Sequence, residues 1–186
     1  MIGNEMTDVE SRLAALELEV RRLRDHDEIL KAVASYGPLA DNAVSSERRL
    51  KACALFTENG FYDVDGVGGM QGRAEIERLF ELQDHHTIMD DGGAHIMGLP
   101  HIVVDGDKAT ALNYTHVHKR ASGPVILATA GDNAWVTLRI SVNFWQFVRT
   151  PDGWKVAHRV NRLMFGSDEA RLLLAKVDRG EVVQQQ

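Results

Sequence analysis

Two side chains of this 186-residue sequence, Asp41 and His95, could together perform acid–base chemistry. His95 opens a predicted strand in which it alternates with Met97 and Leu99, so its side chain is expected to face the interior. An imidazole there can act as a general base, but a lone histidine on an apolar face is more often a core residue. Asp41 follows a predicted helix, where a carboxylate that caps the chain end or faces a loop is ordinary. The residue types alone leave both interpretations open.

A second group of histidines suggests a metal site. His116 and His118 share one face of a predicted strand, and His85, His86 and His101 could complete the coordination. No histidine or carboxylate stands at a helical spacing that would fix the geometry, so we expect no metal ion and no other cofactor.

Three further clusters have structural interpretations. The glycine-rich stretch at residues 66–72 lacks the lysine and hydroxyl residue of a phosphate-binding loop, so it is expected to be a connection. Cys53, the single cysteine, lies in an apolar helical run and is expected to be a buried thiol. The aromatic residues between Phe144 and Trp154 are typical of sheet packing.

Helices are predicted in the first half of the chain and strands in the second. Helices are expected at residues 1–24, 29–40, 46–56 and 73–85, and strands at 61–64, 95–104, 108–120, 125–130, 134–148 and 154–162. Gly37-Pro38 is expected to bend or end the second helix, because proline lacks a backbone donor. This order predicts an α+β domain over residues 25–178, with helices packed on a curved antiparallel sheet. Residues 179–186 are expected to form a flexible tail.

The N-terminal helix over residues 1–24 is amphipathic. Val9, Leu13, Leu16, Val20 and Leu23 recur at alternating spacings of four and three, which is the seam of a coiled coil. The spacing is compatible with an arm docked on its own domain and with a contact between subunits.

Composition excludes several classes of partner. A net charge of −6 disfavours nucleic acid, which needs a basic face. No apolar run is long enough to span a membrane, and the first residues lack the order of a secretory signal. A single cysteine suits a reducing compartment, so we expect a cytoplasmic protein.

Several segments in order resemble the SnoaL-like branch of the nuclear transport factor 2-like superfamily. They are Asp41 after a helix, Leu55 to Gly60, His95 at a strand start, Asp105 to Ala109, and Asp152 to Arg159. The resemblance covers residues 25–166 and implies a cone: a curved antiparallel sheet wrapped over helices, with a deep pocket inside. Members include scytalone dehydratase, bile acid dehydratase, a hexachlorocyclohexane dehydrochlorinase, isomerases, cyclases and non-catalytic subunits of ring-hydroxylating dioxygenases.

The resemblance also assigns roles to single residues. It implies a catalytic Asp41–His95 dyad, a pocket arginine at Arg159, and pocket or substrate-binding positions at Tyr36, Tyr62 and Asn143. Asn113 is in phase with Val117 on the inward face of its predicted strand, so it is also expected to reach a substrate. Apolar walls are expected from Phe61, Met97, Leu99, Val117 and Trp145. The sequence differs from scytalone dehydratase at the position of that enzyme's second catalytic histidine, which corresponds to the region of Lys119 here. The neighbouring His118 is expected to face outward unless a bulge shifts the register of the strand.

These residues imply a cofactor-independent lyase that eliminates water, halide or a small carbonyl fragment from a small hydrophobic, ring-containing compound, as in the catabolism of aromatic compounds. An isomerase or cyclase that uses the same base, and a non-catalytic dioxygenase subunit, are the alternatives. The resemblance also implies a homo-oligomer, with a homotrimer preferred over a dimer.

Overall fold

The computed structural model describes residues 2–121, 134–166 and 168–179. Its elements are α1 (Ile2–Asp41), α2 (Ser46–Cys53), β1 (Phe56–Val64), β2 (Gly68–Gln71), α3 (Arg73–Leu79), α4 (Gln83–Asp90), β3 (Ala94–Met97), β4 (His101–Asp105), β5 (Lys108–Arg120), β6 (Trp135–Thr150), β7 (Gly153–Leu163), α5 (Asp168–Leu174) and α6 (Lys176–Arg179). The predicted α+β class, with helices against a curved sheet and an added N-terminal helix, is confirmed.

The sheet is mixed, whereas the sequence predicted an antiparallel one. Its strand order is β2-β1-β7-β6-β5-β3, and β4 pairs with β5 beside β3. All pairs are antiparallel except β1 and β7, which run parallel and place Tyr62 opposite Arg159. Strand direction follows from the route of the chain between distant segments, which the alternation of apolar residues does not encode.

Helix α1 is one continuous helix of 40 residues, so no helix ends at Gly37-Pro38, and that part of the prediction is wrong. Pro38 lies in the last turn, where the loss of one backbone donor costs little compared with burial of the apolar face around Ile29, Val33 and Ala40. The helix also continues through the predicted boundary between residues 24 and 25.

The stripe on the first half of α1 is not covered by the described part of the chain. Val9, Leu13, Leu16, Val20 and Leu23 are between 45% and 63% exposed. This exposure disfavours the docked arm and leaves the contact between subunits as a prediction. No helix among the described residues is both long enough and apolar enough to cross a bilayer.

Other element boundaries differ from the predictions. The strand expected at 95–104 is divided into β3 and β4, the helix at 73–85 into α3 and α4, and the glycine-rich connection contains β2. Helix α5 was not predicted; its Ala170 and Leu173 pack with Leu112, Val142 and Phe144 in a second apolar cluster. The strand expected at 125–130 and tail residues 180–186 lie outside the described part of the chain, and Arg179 ends α6.

The main core lies between α1, α2, α3 and the inner face of the sheet. Cys53 is buried in it, as predicted, and burial raises the pKa of its thiol to about 11. Asp25 anchors the middle of α1 to the sheet, because its two carboxylate oxygens each accept a 2.7 Å hydrogen bond from Arg149 and one accepts a 3.1 Å bond from Trp154 Nε1.

Candidate active site

A pocket opens between the C-terminal part of α1, helices α3 and α4, and the inner face of the sheet. It contains about 770 Å³ of empty space, open solvent at its mouth included. Its walls are Tyr36, Ala40, Tyr62, Val64, Val67, Leu79, Phe80, Leu82, Asp84, His85, Ile88, His95, Thr115, Val117, Arg139, Ser141, Arg159 and Asn161.

Asp41 and His95 meet at the edge of this pocket. Asp41 Oδ1 lies 2.6 Å from His95 Nδ1, and the two carboxylate oxygens accept the backbone N–H of His95 at 3.2 and 3.0 Å. The carboxylate thus holds both the main chain and the ring of the histidine. With Nδ1–H donated to Asp41, the proton-free nitrogen is Nε2, and the ring belongs to the pocket wall.

Gly37 explains how the two side chains come within reach. A Cβ atom at this position would lie closer to the carbonyl oxygen of His95 than side-chain carbons ever approach a neighbour. Glycine therefore lets the last turns of α1 lie directly on the backbone of β3. Asp41 follows Gly37 by four residues, one helical turn, and so projects from α1 toward the same strand.

Arg159 lies at the base of the pocket and is 1% exposed. Its guanidinium carbon stands 3.7 Å from the ring centre of Tyr36, 3.8 Å from that of Trp145 and 4.4 Å from that of Tyr62. Asn143 Oδ1 accepts hydrogen bonds from Nε at 3.1 Å and from Nη2 at 2.7 Å. Nη1 is buried and has no hydrogen-bond partner. One donor of a fixed cation is therefore left for a ligand.

Asn143 and Asn113, both expected to bind substrate, do not line the pocket. Asn143 also donates to Thr115 Oγ1 at 2.7 Å, so it lies beneath the pocket surface and holds Arg159 in place. Asn113 Oδ1 accepts the indole N–H of Trp145 at 2.8 Å, and its amide group donates to the carbonyls of Gly98 and Tyr114. Their inward direction was inferred correctly, but buried groups consume their hydrogen-bonding capacity.

Of the three aromatic residues expected at the site, two line the pocket and one lies behind its wall. Tyr36 and Tyr62 line the pocket, and their hydroxyl oxygens are 3.5 Å apart. Burial raises the pKa of Tyr62 well above its usual value, although the charge of Arg159 opposes this, so the phenol stays protonated and can donate. Trp145 is fully buried behind Arg159 and forms part of its aromatic cage rather than the pocket wall.

Comparison with known families gives a match to the SnoaL-like domain over residues 21–160, most of the chain. The chain belongs to the SnoaL-like family. Curated relatives are uncharacterized proteins of Mycobacterium tuberculosis and Mycobacterium bovis, each 28% identical over 153 residues, which cover 80% of this chain and 91% of theirs.

Solved structures agree with this assignment. An NTF2-like protein with a cystatin-like fold from Novosphingobium aromaticivorans is 37% identical, with a TM-score of 0.77 over 87% of this chain and 96% of that one. A candidate scytalone dehydratase from the same organism shares the fold, with 16% identity and a TM-score of 0.59 over 77% and 87% of the two chains. A candidate dehydratase from Streptomyces avermitilis does so with 18% identity and a TM-score of 0.56 over 76% and 97%.

His85 is a polar residue of this SnoaL-like pocket that was not assigned to it from the sequence. It lies on α4 with its ring edge-on to Phe80, and its Nε2 is buried without a hydrogen-bond partner. Burial, followed by the charges of His95 and His86, lowers its pKa to about 4, so the imidazole is neutral near pH 7. The sequence singled out His85 only as a metal ligand.

Arg139 and Ser141 were also missed. They precede Asn143 at intervals of two on β6, so they lie on the same face of the strand as Asn143. The period-two alternation of β6, counted back from Asn143, is the sequence signal that indicates them.

Two apolar residues expected in the SnoaL-like pocket lie elsewhere. Leu99 is 91% exposed because the chain leaves the sheet between β3 and β4. Phe61 packs against the ring of His158 and the backbone of Gly69. Met97 packs against the main core without lining the pocket, whereas Val117 does line it.

The histidines considered for a metal site do not converge. His116 and His118 stack on each other with ring centres 5.9 Å apart, and neither lines the pocket that contains His85. A bulge does occur at His118, yet its ring turns to Thr137, while Lys119 pairs with Asp91. Within residues 2–121, 134–166 and 168–179, no group of three or more potential ligands could hold a metal ion.

Proposed function

We propose that this SnoaL-like protein is a cofactor-independent lyase with His95 as its base. The observation that most directly supports this proposal is the 2.6 Å contact between Asp41 and His95 Nδ1 at the wall of an open pocket. A carboxylate in that position fixes the tautomer of the ring, directs the basic nitrogen toward a ligand, and stabilises the imidazolium that forms.

The proposed reaction is a β-elimination. His95 Nε2 removes a proton from a carbon next to a carbonyl or similar acidifying group. The electron pair left on that carbon forms a carbon–carbon double bond while the bond from the adjacent carbon to the leaving group breaks. A leaving hydroxyl departs as water after it takes a proton, and a halide departs as the anion. His95 then returns its proton to solvent.

Arg159 and the two tyrosines would assist this step. Proton abstraction places negative charge on the acidifying group, and the unpartnered Nη1 of Arg159 is a fixed donor for it. The Tyr36 and Tyr62 hydroxyls, 3.5 Å apart, are hydrogen-bond donors for a leaving oxygen. Because Asn143 and the aromatic cage hold the guanidinium in advance, little reorganisation accompanies the charge.

The open pocket favours an enzyme over a non-catalytic dioxygenase subunit. In such a subunit we would expect the pocket to be filled with side chains and its polar groups to be satisfied. Here two wall residues of the pocket, His85 and Arg159, each have a buried nitrogen without a hydrogen-bond partner among the described residues. Two solved relatives, the candidate dehydratases, are described with the same reaction class.

A β-hydroxy ketone fused to a benzene ring, 3-hydroxy-1-tetralone, tests this proposal. Loss of water converts it to 1-naphthol, which is followed by absorbance against the His95→Ala variant as background. We expect the native protein alone to accelerate naphthol formation. In deuterated water, a native protein that neither eliminates water nor exchanges the α-protons faster than His95→Ala would contradict the proposal. Conversion to a product of unchanged mass would indicate an isomerase.

A further inference from the structure

The charge of Arg159 has no counter-ion in the described part of the chain. Its side-chain hydrogen bonds go to the neutral Asn143 Oδ1, and three aromatic rings surround the rest of the guanidinium. Partly buried arginines elsewhere in the fold are different: Arg149, for example, pairs with the carboxylates of Asp25 and Asp107. A buried cation without an anion is unfavourable unless a ligand compensates it.

A second arginine faces the same pocket. Arg139 lines it from β6, and among the described residues it too forms no ion pair. Arg159 and Arg139 both belong to the pocket wall, and they lie on the paired strands β7 and β6. The sheet side of the pocket therefore carries two cations.

Two carboxylates border the pocket and do not neutralise these cations. Asp41 is engaged by the ring and the backbone N–H of His95. Asp84 is an exposed wall residue in the first turn of α4 and makes no ion pair with a described residue. His85, which is neutral near pH 7, adds no positive charge.

We infer that the ligand of this pocket is a ring compound that carries a carboxylate, held between Arg159 Nη1 and the guanidinium of Arg139. The inference rests on the proposed function, because it takes the pocket as the substrate site, and it adds the charge of the substrate. A carboxylate bound there would satisfy the unpartnered donor of Arg159 and leave the remainder of the ring for the wall that carries His95.

Fluorine NMR with two matched probes tests the inference without turnover. The probes are 4-fluorobenzoate and the neutral 4-fluorobenzamide, which have the same ring and nearly the same shape. We expect native protein to bind the carboxylate about tenfold more tightly, the factor that one charge-assisted hydrogen bond contributes. Arg139→Gln and Arg159→Gln should abolish that preference. Arg78→Gln, which removes the same charge from the exposed surface of α3, should retain it.

The outcomes separate the two proposals. Equal binding of both probes, binding of neither, or a preference unchanged in Arg139→Gln would overturn the carboxylate site. Circular dichroism establishes whether Arg159→Gln folds, and the Arg139 variant decides the question if it does not. A carboxylate preference in a protein that catalyses no α-proton exchange would instead refute the lyase and leave the anion site standing.

Discussion

Helix α1 carries two buried or half-buried aspartates that contact the sheet, and their surroundings differ. Asp25, near the middle, accepts hydrogen bonds from Arg149 and Trp154, and the Arg149 guanidinium also lies 4.4 Å from the Trp154 ring centre. Asp41, at the end, forms its side-chain hydrogen bonds with His95 in the described part of the chain, and the histidine ring belongs to the wall of an open pocket.

The difference lies in how far the hydrogen-bonding groups are satisfied. At Asp25 every charge has a partner, and the Arg149 hydrogen bond holds the pKa of Asp25 below its usual value. At the Asp41 end, nitrogens of His85 and Arg159 are buried without partners. A closed set of ion pairs anchors the helix, whereas unsatisfied donors and acceptors around a cavity indicate a binding site.

The largest expected effect is on the turnover rate, which should fall when Asp41 is replaced but not when Asp25 is. His95→Ala and Asp41→Asn should lower kcat by roughly 10²–10⁴-fold, because they remove the base or the group that orients it. Asp25→Asn should leave kcat unchanged, since no atom of Asp25 reaches the pocket. Naphthol formation from 3-hydroxy-1-tetralone measures all three. A similar loss in Asp25→Asn would mean that the anchor and the site are not independent.

For the free energy of unfolding we expect the opposite order, with a larger effect at Asp25 than at Asp41. Asp25→Ala leaves the partly buried Arg149 guanidinium with the exposed Asp107 as its remaining ion-pair partner among the described residues, and breaking such a pair costs about 3 kcal/mol. Asp41→Ala should cost less, because the side chains of Asp41 and His95 are 25% and 18% exposed. Urea unfolding of the two variants checks the ranking; equal midpoints would remove the distinction between anchor and site.

Gly37→Ala tests whether the close approach of α1 to β3 positions the Asp41–His95 pair. In an exposed helix interior this exchange stabilises by about 1 kcal/mol. Here the new Cβ would collide with the His95 carbonyl, so we expect a net loss of about 1–3 kcal/mol and a displaced dyad with lower kcat. Ala34→Gly, the opposite exchange on the exposed side of α1, is the control and should leave kcat intact. A more stable, fully active Gly37→Ala protein would show that α1 and β3 do not meet closely.

Low pH should destabilise the fold through protonation of His85. Burial lowers its pKa to about 4 in the fold, from the 6.5 of an unconstrained histidine, so between these values the unfolded chain binds a proton that the folded chain does not. Stability is therefore lost as the pH falls from 6.5 to 4, by on the order of 1 kcal/mol after allowance for solvent exposure. His85→Asn should lose less stability over this interval than the native protein, and His26→Asn, at an exposed position, should not differ from it. Parallel curves for native and His85→Asn would contradict the assignment.

The smallest effect on chemistry is expected from removal of residues 1–24. The exposed stripe from Val9 to Leu23 has no partner within its own subunit among the described residues, so its removal should reduce the oligomeric mass in light scattering. Turnover should persist, because Asp25 and Arg149 still anchor the shortened helix. An unchanged mass would assign any oligomer to another surface, such as the outer sheet face with Ile96, Tyr114 and Ile140.

Much of the fold could be predicted from local patterns. Period-two alternation and turn residues located β5, β6 and β7, and Gly106 and Gly153 have the positive φ values that their turns require. The order of helices and strands then gave the fold class, and the resemblance pointed to Asp41, His95 and Arg159. These features depend on residues close in sequence or on a pattern shared by a family.

Whether an inward-facing polar group lines the pocket or supports another side chain depends on the tertiary structure. Alternation for Asn113, and the resemblance for Asn143 and Arg159, assigned all three side chains to the pocket. Whether the polar atoms of each are hydrogen-bonded beneath the surface or left without a partner depends on neighbours from other strands. The same holds for Gly37, whose meaning is set by a carbonyl of β3, and for His85, whose neutrality comes from burial. Direction along a strand or helix is a local property, whereas burial and hydrogen-bond satisfaction are sums over contacts between distant segments.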